Sequence, residues 1–469
     1  MRVASSRPAF VHPYMPNTAP DSYQQMLDTV GVEKVDELFE AVPEHIRSGH
    51  MRLPLPEPLL SEAELCRSIG GLLRKNRSTD ECVSFLGGGV AKYYVPAVCD
   101  ELVRKPEFYT SFMAGYESDP GKYQVWWEYQ SMLTDLCEME LTGWTTHCGA
   151  SAATSAVLLA GRINHEKTDA VIADNISPDR RSIIDEVCRA RLNLRFVDVD
   201  PATGLMDLDD LREKVSADTA VVYFENPSYL GGIECRGNEI AELAHGHGAL
   251  LVVSVNPISL GLLETPRRYG ADIICGDAQP LGVHLQYGGG NCGFVCCPDE
   301  ERYAVEFPFL MACAMPTGTA GQIGFQMLNF ENTSYCLRET SGDITSTNSE
   351  LWSVPVGAYL AQMGPQGMRE VGEYIIANTH YAKAKLDALD GVTVPLASTP
   401  FVEVVVNFDA TGLTVAEINK ALLGHGIFGG HDISREYPVL GQSALYCFTD
   451  VITKSDIDRL AEALQEIIA

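Results

Sequence analysis

Ala249-Leu250-Leu251-Val252-Val253-Ser254, continued by Val255-Asn256, is an apolar run that ends on a polar residue. A second run, Ala271-Asp272-Ile273-Ile274-Cys275, leads into Gly276-Asp277-Ala278-Gln279-Pro280-Leu281-Gly282. Short apolar runs bounded by polar or glycine-rich turns predict strands. Upstream, Ala170-Val171-Ile172-Ala173, Leu194-Arg195-Phe196-Val197-Asp198-Val199 and Ala220-Val221-Val222-Tyr223-Phe224 repeat the pattern. Amphipathic helical segments such as Ile240-Ala241-Glu242-Leu243-Ala244-His245 lie between them. This alternation predicts, for the stretch from about 150 to 300, a mostly parallel sheet with helices on both faces.

On either side the pattern changes. Residues 1–80 predict a helical N-terminal extension: Asp21 offers an N-cap to Tyr23-Gln24-Gln25-Met26-Leu27, Val35-Asp36-Glu37-Leu38-Phe39 repeats the spacing, and proline turns follow at Leu53-Pro54-Leu55-Pro56. Residues 81–350 form the large α/β domain and 351–469 a small α+β domain. In the latter, helices are expected over 354–362 and 368–389. Strands are expected over 401–408, alternating as a half-exposed strand, and over 442–448. A last helix is capped by Ser455. A large parallel-sheet domain followed by a small α+β domain is the architecture of fold-type-I pyridoxal-phosphate (PLP) enzymes.

Composition narrows the function. The chain has 469 residues, is 46% hydrophobic, and carries a net charge of −29, which argues against nucleic acid and anionic membranes as partners. The acidity has two readings, solubility in a salty cytoplasm or a basic partner. The 14 cysteines lack CxxC pairs. Cys292, Cys296 and Cys297 flank a strand-like Gly293-Phe294-Val295 whose alternation points the thiols to different faces, so no metal site is expected. Unpaired cysteines suit a reducing compartment, and neither a signal peptide nor a membrane-length apolar run is visible, so a soluble cytoplasmic protein is expected.

The chemistry turns on an absence. No lysine stands between Lys214 and Lys383. A PLP enzyme uses a lysine amine to hold its cofactor. Where that lysine is due, after the strand at 271–275, Gln279 and Pro280 stand, and neither can supply an amine. Asn256 stands where an aspartate would keep the pyridine nitrogen protonated. Either the site is disabled at both positions and this chain holds no catalytic residue, or there was never a PLP site. Gly149-Ala150-Ser151 before an alanine-rich helix is either a phosphate cradle or a tight packing turn.

Further stretches occur in a telling order: Tyr14-Met15-Pro16-Asn17-Thr18, Gly31-Val32, Phe85-Leu86-Gly87, Tyr94-Val95-Pro96-Ala97-Val98, Arg104-Lys105-Pro106-Glu107-Phe108-Tyr109-Thr110, Glu128-Tyr129-Gln130, Gly270-Ala271-Asp272-Ile273, Gly288-Gly289, and Gly426-Ile427-Phe428-Gly429-Gly430 with Tyr437-Pro438. With them the chain resembles, along nearly its whole length, the α subunit (subunit 1) of the glycine cleavage P-protein, the decarboxylating glycine dehydrogenase. That resemblance implies an α2β2 assembly in which the β subunit holds PLP at an α/β interface and none is bound covalently to this chain. It implies glycine as the small amino-acid substrate and the lipoylated H-protein as acceptor of the aminomethyl group. Pocket residues Gly149, Ala150, Ser151, His147 and Asn256 are then vestigial.

Some positions depart from the family. Arg338-Glu339-Thr340-Ser341-Gly342-Asp343-Ile344-Thr345 replaces an Arg-Glu-Lys-Ala-Thr-Ser-Asn-Ile stretch, with Thr347-Asn348 retained after it. His147-Cys148 replaces Tyr-Asp, Ser177-Pro178 replaces His-Pro, and Glu117-Ser118-Asp119-Pro120-Gly121 is a shortened loop. Two other readings follow: a paralogous two-component PLP enzyme acting on another amino acid, and a non-catalytic, self-associating binding protein. Tyr93 and Tyr94, after Gly87-Gly88-Gly89, either reach a ligand or pack at a subunit interface. His147 stacks on a ring or serves a turn, and Arg435 binds a carboxylate bidentately or forms a surface ion pair.

Overall fold

The computed structural model describes residues 11, 14–47, 59, 61–109, 120–285, 292–328, 333–334 and 350–469. The segments 53–56, 110, 117–119, 288–289 and 338–348 singled out above lie outside them. Contacts divide the chain into two compact units, Met1–Arg77 and Ser78–Ala469.

The first unit is helical: α1 (Pro20–Val30), a 3-10 turn at Val35–Phe39, α2 (Glu44–Arg47) and α3 (Glu62–Leu73). Asp21 is not the N-cap of α1. Ala19 holds that place without a side-chain bond and Pro20 opens the helix, where its fixed φ and missing N–H suit the first position. Asp21 sits in the first turn, where its charge opposes the helix dipole favourably.

In the second unit the elements follow as β1 (Val83–Ser84), α4 (Ala97–Val103), α5 (Pro120–Cys137), β2 (Leu141–Thr142), α6 (Gly149–Ile163), β3 (Asp169–Ala173), α7 (Pro178–Cys188), β4 (Asn193–Val197), α8 (Leu208–Lys214) and β5 (Thr219–Glu225). Next come α9 (Gly237–Gly246), β6 (Leu250–Val255), β7 (Ile273–Asp277), β8 (Gly293–Cys297), α10 (Glu301–Ala304) and the hairpin β9 (Ala312–Pro316) and β10 (Ile323–Met327). The main sheet runs β2-β8-β7-β6-β5-β3-β4, parallel from β4 through β7, with β8 and β2 added antiparallel. The predicted strands are there, and β3, β5 and β6 are buried along their whole length, as strands covered on both faces must be.

The C-terminal part holds α11 (Ser353–Asp387), β11 (Glu403–Asn407), α12 (Val415–Gly424), β12 (Ile427–Phe428), β13 (His431–Asp432), β14 (Ser443–Cys447) and α13 (Lys454–Ile468). A three-stranded antiparallel sheet, β11-β14-β13, is its centre, and β12 pairs with β1. α11 breaks at Gly364 (φ 58°, ψ −177°) before Pro365, between the two helices predicted there. β11 is buried, not half-exposed: Val404 and Val406 pack on Ala382, Leu386 and Leu460, while Val405 packs on Tyr229, Leu230 and Leu445. The cap of α13 is Thr453, in a reciprocal capping box with Asp456, rather than Ser455.

Candidate functional site

β5, β6 and β7 end side by side, and their last residues face a cavity of about 70 Å³. Open α/β sheets take ligands at the carboxyl ends of their strands, where strand order reverses, and here the order reverses between β3 and β5. Glu225 closes β5, Asn256 follows β6 and Asp277 closes β7. Arg180 enters from α7, Tyr93 from the loop before α4, and Glu403 from the start of β11.

Two features able to bind anions are filled by carboxylates of the chain itself. At the start of α6, the Gly149 N–H donates to Asp277 Oδ2 at 2.8 Å, while the Gln279 N–H donates to Asp277 Oδ1 at 2.9 Å. Gly88 and Gly89, both at positive φ, donate their N–H groups to Glu403 Oε1 at 2.7 and 3.2 Å. A Cβ on Gly87 would stand 2.6 Å from that oxygen, so the carboxylate fits only against bare backbone. Burial pushes the Glu403 carboxyl up to about 7, against the pull of the Gly88 and Gly89 N–H groups and of Arg180. Burial likewise raises Asp277 against its two N–H bonds.

Arg180 pairs with Glu225 at 2.8 Å in the interior. Burial disfavours the guanidinium charge, but Glu225 outweighs it and holds Arg180 above its ordinary range. The Tyr223 hydroxyl donates to Glu225 at 3.3 Å. Asn256 Nδ2 donates to the Tyr93 hydroxyl at 3.0 Å, and its Oδ1 accepts from the Ile258 N–H at 3.1 Å. Buried Gln279 donates Nε2 to the Val283 carbonyl at 2.8 Å.

The structure thus brings together Tyr93, Asn256, Gln279 and Pro280 around the cavity, with Gly149 beside it. Ala150 is buried within α6, and Ser151 lies 3.6 Å from Cys148 Sγ. His147 is exposed before the helix. Tyr94 parts from Tyr93: its ring is exposed and its N–H donates to Asp450. Arg435 is exposed, while its neighbour Glu436 accepts from Tyr229 at 3.2 Å. Arg180, Glu225, Ser228, Asp277 and Glu403 were not singled out from the sequence. Glu225 and Asp277 close apolar runs as Asn256 follows one, a local signal that could have found them. Nothing local marked Glu403, which lies in another part of the chain.

These residues do not fit PLP. The cofactor needs a lysine amine, an acid facing its ring nitrogen and a free anion cradle. The cavity offers Gln279, an asparagine already committed to Tyr93 and Ile258, and a helix start taken by Asp277.

A family model for the glycine cleavage system P-protein matches residues 12–464. A Staphylothermus marinus protein named probable glycine dehydrogenase (decarboxylating) subunit 1 is 32% identical, over 97% of this chain and 98% of its own length. A Geobacillus kaustophilus protein of the same name is 32% identical over 97% and 99%. Among solved structures, a glycine decarboxylase (P-protein) of the glycine cleavage system in inhibitor-bound form matches with a TM-score of 0.82 at 28% identity, covering 97% of this chain and all of that one. A sphingosine-1-phosphate lyase from Burkholderia pseudomallei shares the fold, with a TM-score of 0.64 at 15% identity.

Proposed function

The chain belongs to the glycine cleavage system P-protein family, and from that premise we propose that it is the cofactor-free α subunit of a two-subunit, PLP-dependent glycine decarboxylase. The β subunit holds PLP, the assembly is α2β2, and the aminomethyl group left after decarboxylation passes to the lipoyl arm of the H-protein. PLP supplies the electron sink for that decarboxylation. This chain, inactive alone, completes the interface and part of the substrate channel, and the exposed Tyr94 and Arg435 contact the partner. The division at 81–350 and 351–469 and a cytoplasmic location belong to the same reading; among the described residues no helix is long and apolar enough to cross a membrane.

One observation carries the reading. In a chain that matches subunit 1 relatives over 97% of its length, the cavity at the strand ends is lined by Gln279 and by no lysine, and the helix start beside it is taken by Asp277. The test is to co-express the chain with its candidate β subunit, reduce the complex with borohydride and weigh the separated chains. The cofactor mass is expected on the β subunit alone, and glycine–bicarbonate exchange only when both are present. Cofactor mass on this chain would overturn the assignment, and a complex without exchange would direct the search to another amino acid.

A further inference from the structure

The cavity at the ends of β5, β6 and β7 has its own chemistry. Three carboxylates, Glu225, Asp277 and Glu403, line it against a single guanidinium, Arg180, which is already paired with Glu225. Glu403 spends only Oε1 on the Gly88 and Gly89 N–H groups; Oε2 accepts no hydrogen bond among the described residues. An independent observation comes from the same cavity. Ser228, 4% exposed, lines the cavity, and its hydroxyl finds no hydrogen-bond partner among the described residues. A buried hydroxyl left unpaired is unfavourable by about 1–3 kcal/mol, so such a group marks a place where a ligand or ordered water completes the structure.

The charge balance favours a cation over an anion. Both backbone anion cradles are occupied by Glu403 and Asp277, and a phosphate or carboxylate entering the cavity would meet their negative charge. A metal ion is disfavoured, because among the described residues no three His, Cys, Asp or Glu side chains converge as ligands. At about 70 Å³ the space accommodates roughly five non-hydrogen atoms, taking about 10–15 Å³ for each water-sized position. An ammonium group has three donors, enough to serve Glu403 Oε2 and the Ser228 hydroxyl together.

We propose that this cavity is a binding site for a compact primary ammonium compound, its ammonium group seated between Glu403 and Ser228. The site is built from this chain alone and stands whether or not the β subunit carries PLP. Groups that bear on Glu403 are Arg180, Glu225, Tyr93, Tyr229 and Cys447. Of these Arg180 alone is cationic, so an incoming ammonium adds a second positive charge and drives the Glu403 proton to solvent.

Titration calorimetry on the full chain, purified without the β subunit, tests this at pH 7 in two buffers of different ionisation enthalpy. The probes are ethylammonium chloride, glycine and inorganic phosphate. Saturable binding of ethylammonium, with a fraction of a proton released per ligand, is expected, and no binding of phosphate. Binding of glycine but not ethylammonium would assign the same site to amino acids. Glu403→Gln is expected to abolish the proton release and weaken binding at least tenfold, about the effect of one charge-assisted hydrogen bond. Ser228→Ala should weaken binding several-fold with proton release retained, and it serves if Glu403→Gln does not fold. Failure of both ammonium compounds to bind the wild-type chain, preferential binding of phosphate, or binding indifferent to both substitutions would overturn the proposal.

Discussion

At the scale of single residues, the consequential group is a carboxylate placed among apolar and glycine backbone. Glu403 is 6% exposed and is raised from its ordinary 4.5 to about 7 by burial. Between those values the folded chain holds a proton that the unfolded chain has released, so stability falls as pH rises through this window. The difference amounts to about 3 kcal/mol once pH passes 7. Denaturant titrations at pH 5 and pH 7.5 should show wild type losing more stability than Glu403→Gln over that interval; equal losses would place the glutamate in water. Arg180 supports a second expectation. Arg180→Met leaves Glu225 buried without its partner and should lower stability by roughly 3–5 kcal/mol. Restoring neutrality with Glu225→Gln in the same chain should recover part of that loss, as a double-mutant cycle would show. The sequence singles out none of these charged groups, only their neutral neighbours. Asn256 stands out because a polar residue follows an apolar run, whereas Glu403 opens a strand some 150 residues beyond β6, and only the fold brings it to Gly88.

Elements show the same division between local and non-local information. β3, β5, β6 and β7 were legible because continuous apolar runs of that length have few alternatives. The burial of β11 was not, since its second face is covered by Tyr229 and Leu230, which reach it from the loop after β5. The break in α11 was visible as a gap in the helical pattern at Gly364-Pro365. Gly364 stands at a φ of 58° with open space around it, so Gly364→Ala should destabilise by backbone strain alone, about 1–3 kcal/mol in urea. A loss near zero would mean that the two halves of α11 realign at no cost. At the start of α6 the sequence offers a phosphate cradle or, more readily, a packing turn, and the fold fills that start with a carboxylate from β7. Asp277→Ala orphans the Gly149 and Gln279 N–H groups, a loss of about 1–3 kcal/mol. Inorganic phosphate should then raise the Tm of the variant while leaving wild type unmoved, because an exposed helix start is an anion site. Equal response of both proteins would mean that Asp277 does not close the helix.

At the scale of the whole molecule, the net charge of −29 has to be reconciled with a chain that folds. Charge of one sign repels itself across the folded surface and opposes compaction, and dissolved salt screens that repulsion within about 10 Å at 0.1 M. The two accounts of the acidity differ in what salt does to association. If the charge serves solubility, salt stabilises the isolated chain and leaves its affinity for the β subunit unchanged or stronger. If it steers a basic partner, the same salt weakens the complex through a slower association rate. The buried carboxylates Glu225, Asp277 and Glu403 are held by Arg180 and by backbone N–H groups and are screened little, so the response to salt comes from the surface. Surface ion pairs such as Lys105–Glu101 and Lys454–Asp458, one helical turn apart, contribute little each and do not offset a charge of this size. A rise in Tm of the isolated chain between roughly 0.02 and 0.5 M sodium chloride is therefore expected, spanning Debye lengths from above 20 Å to below 5 Å. The same titration on the complex then separates the accounts. A complex that holds in high salt has an apolar interface and an acidity meant for solvent; one that falls apart owes its assembly to that charge.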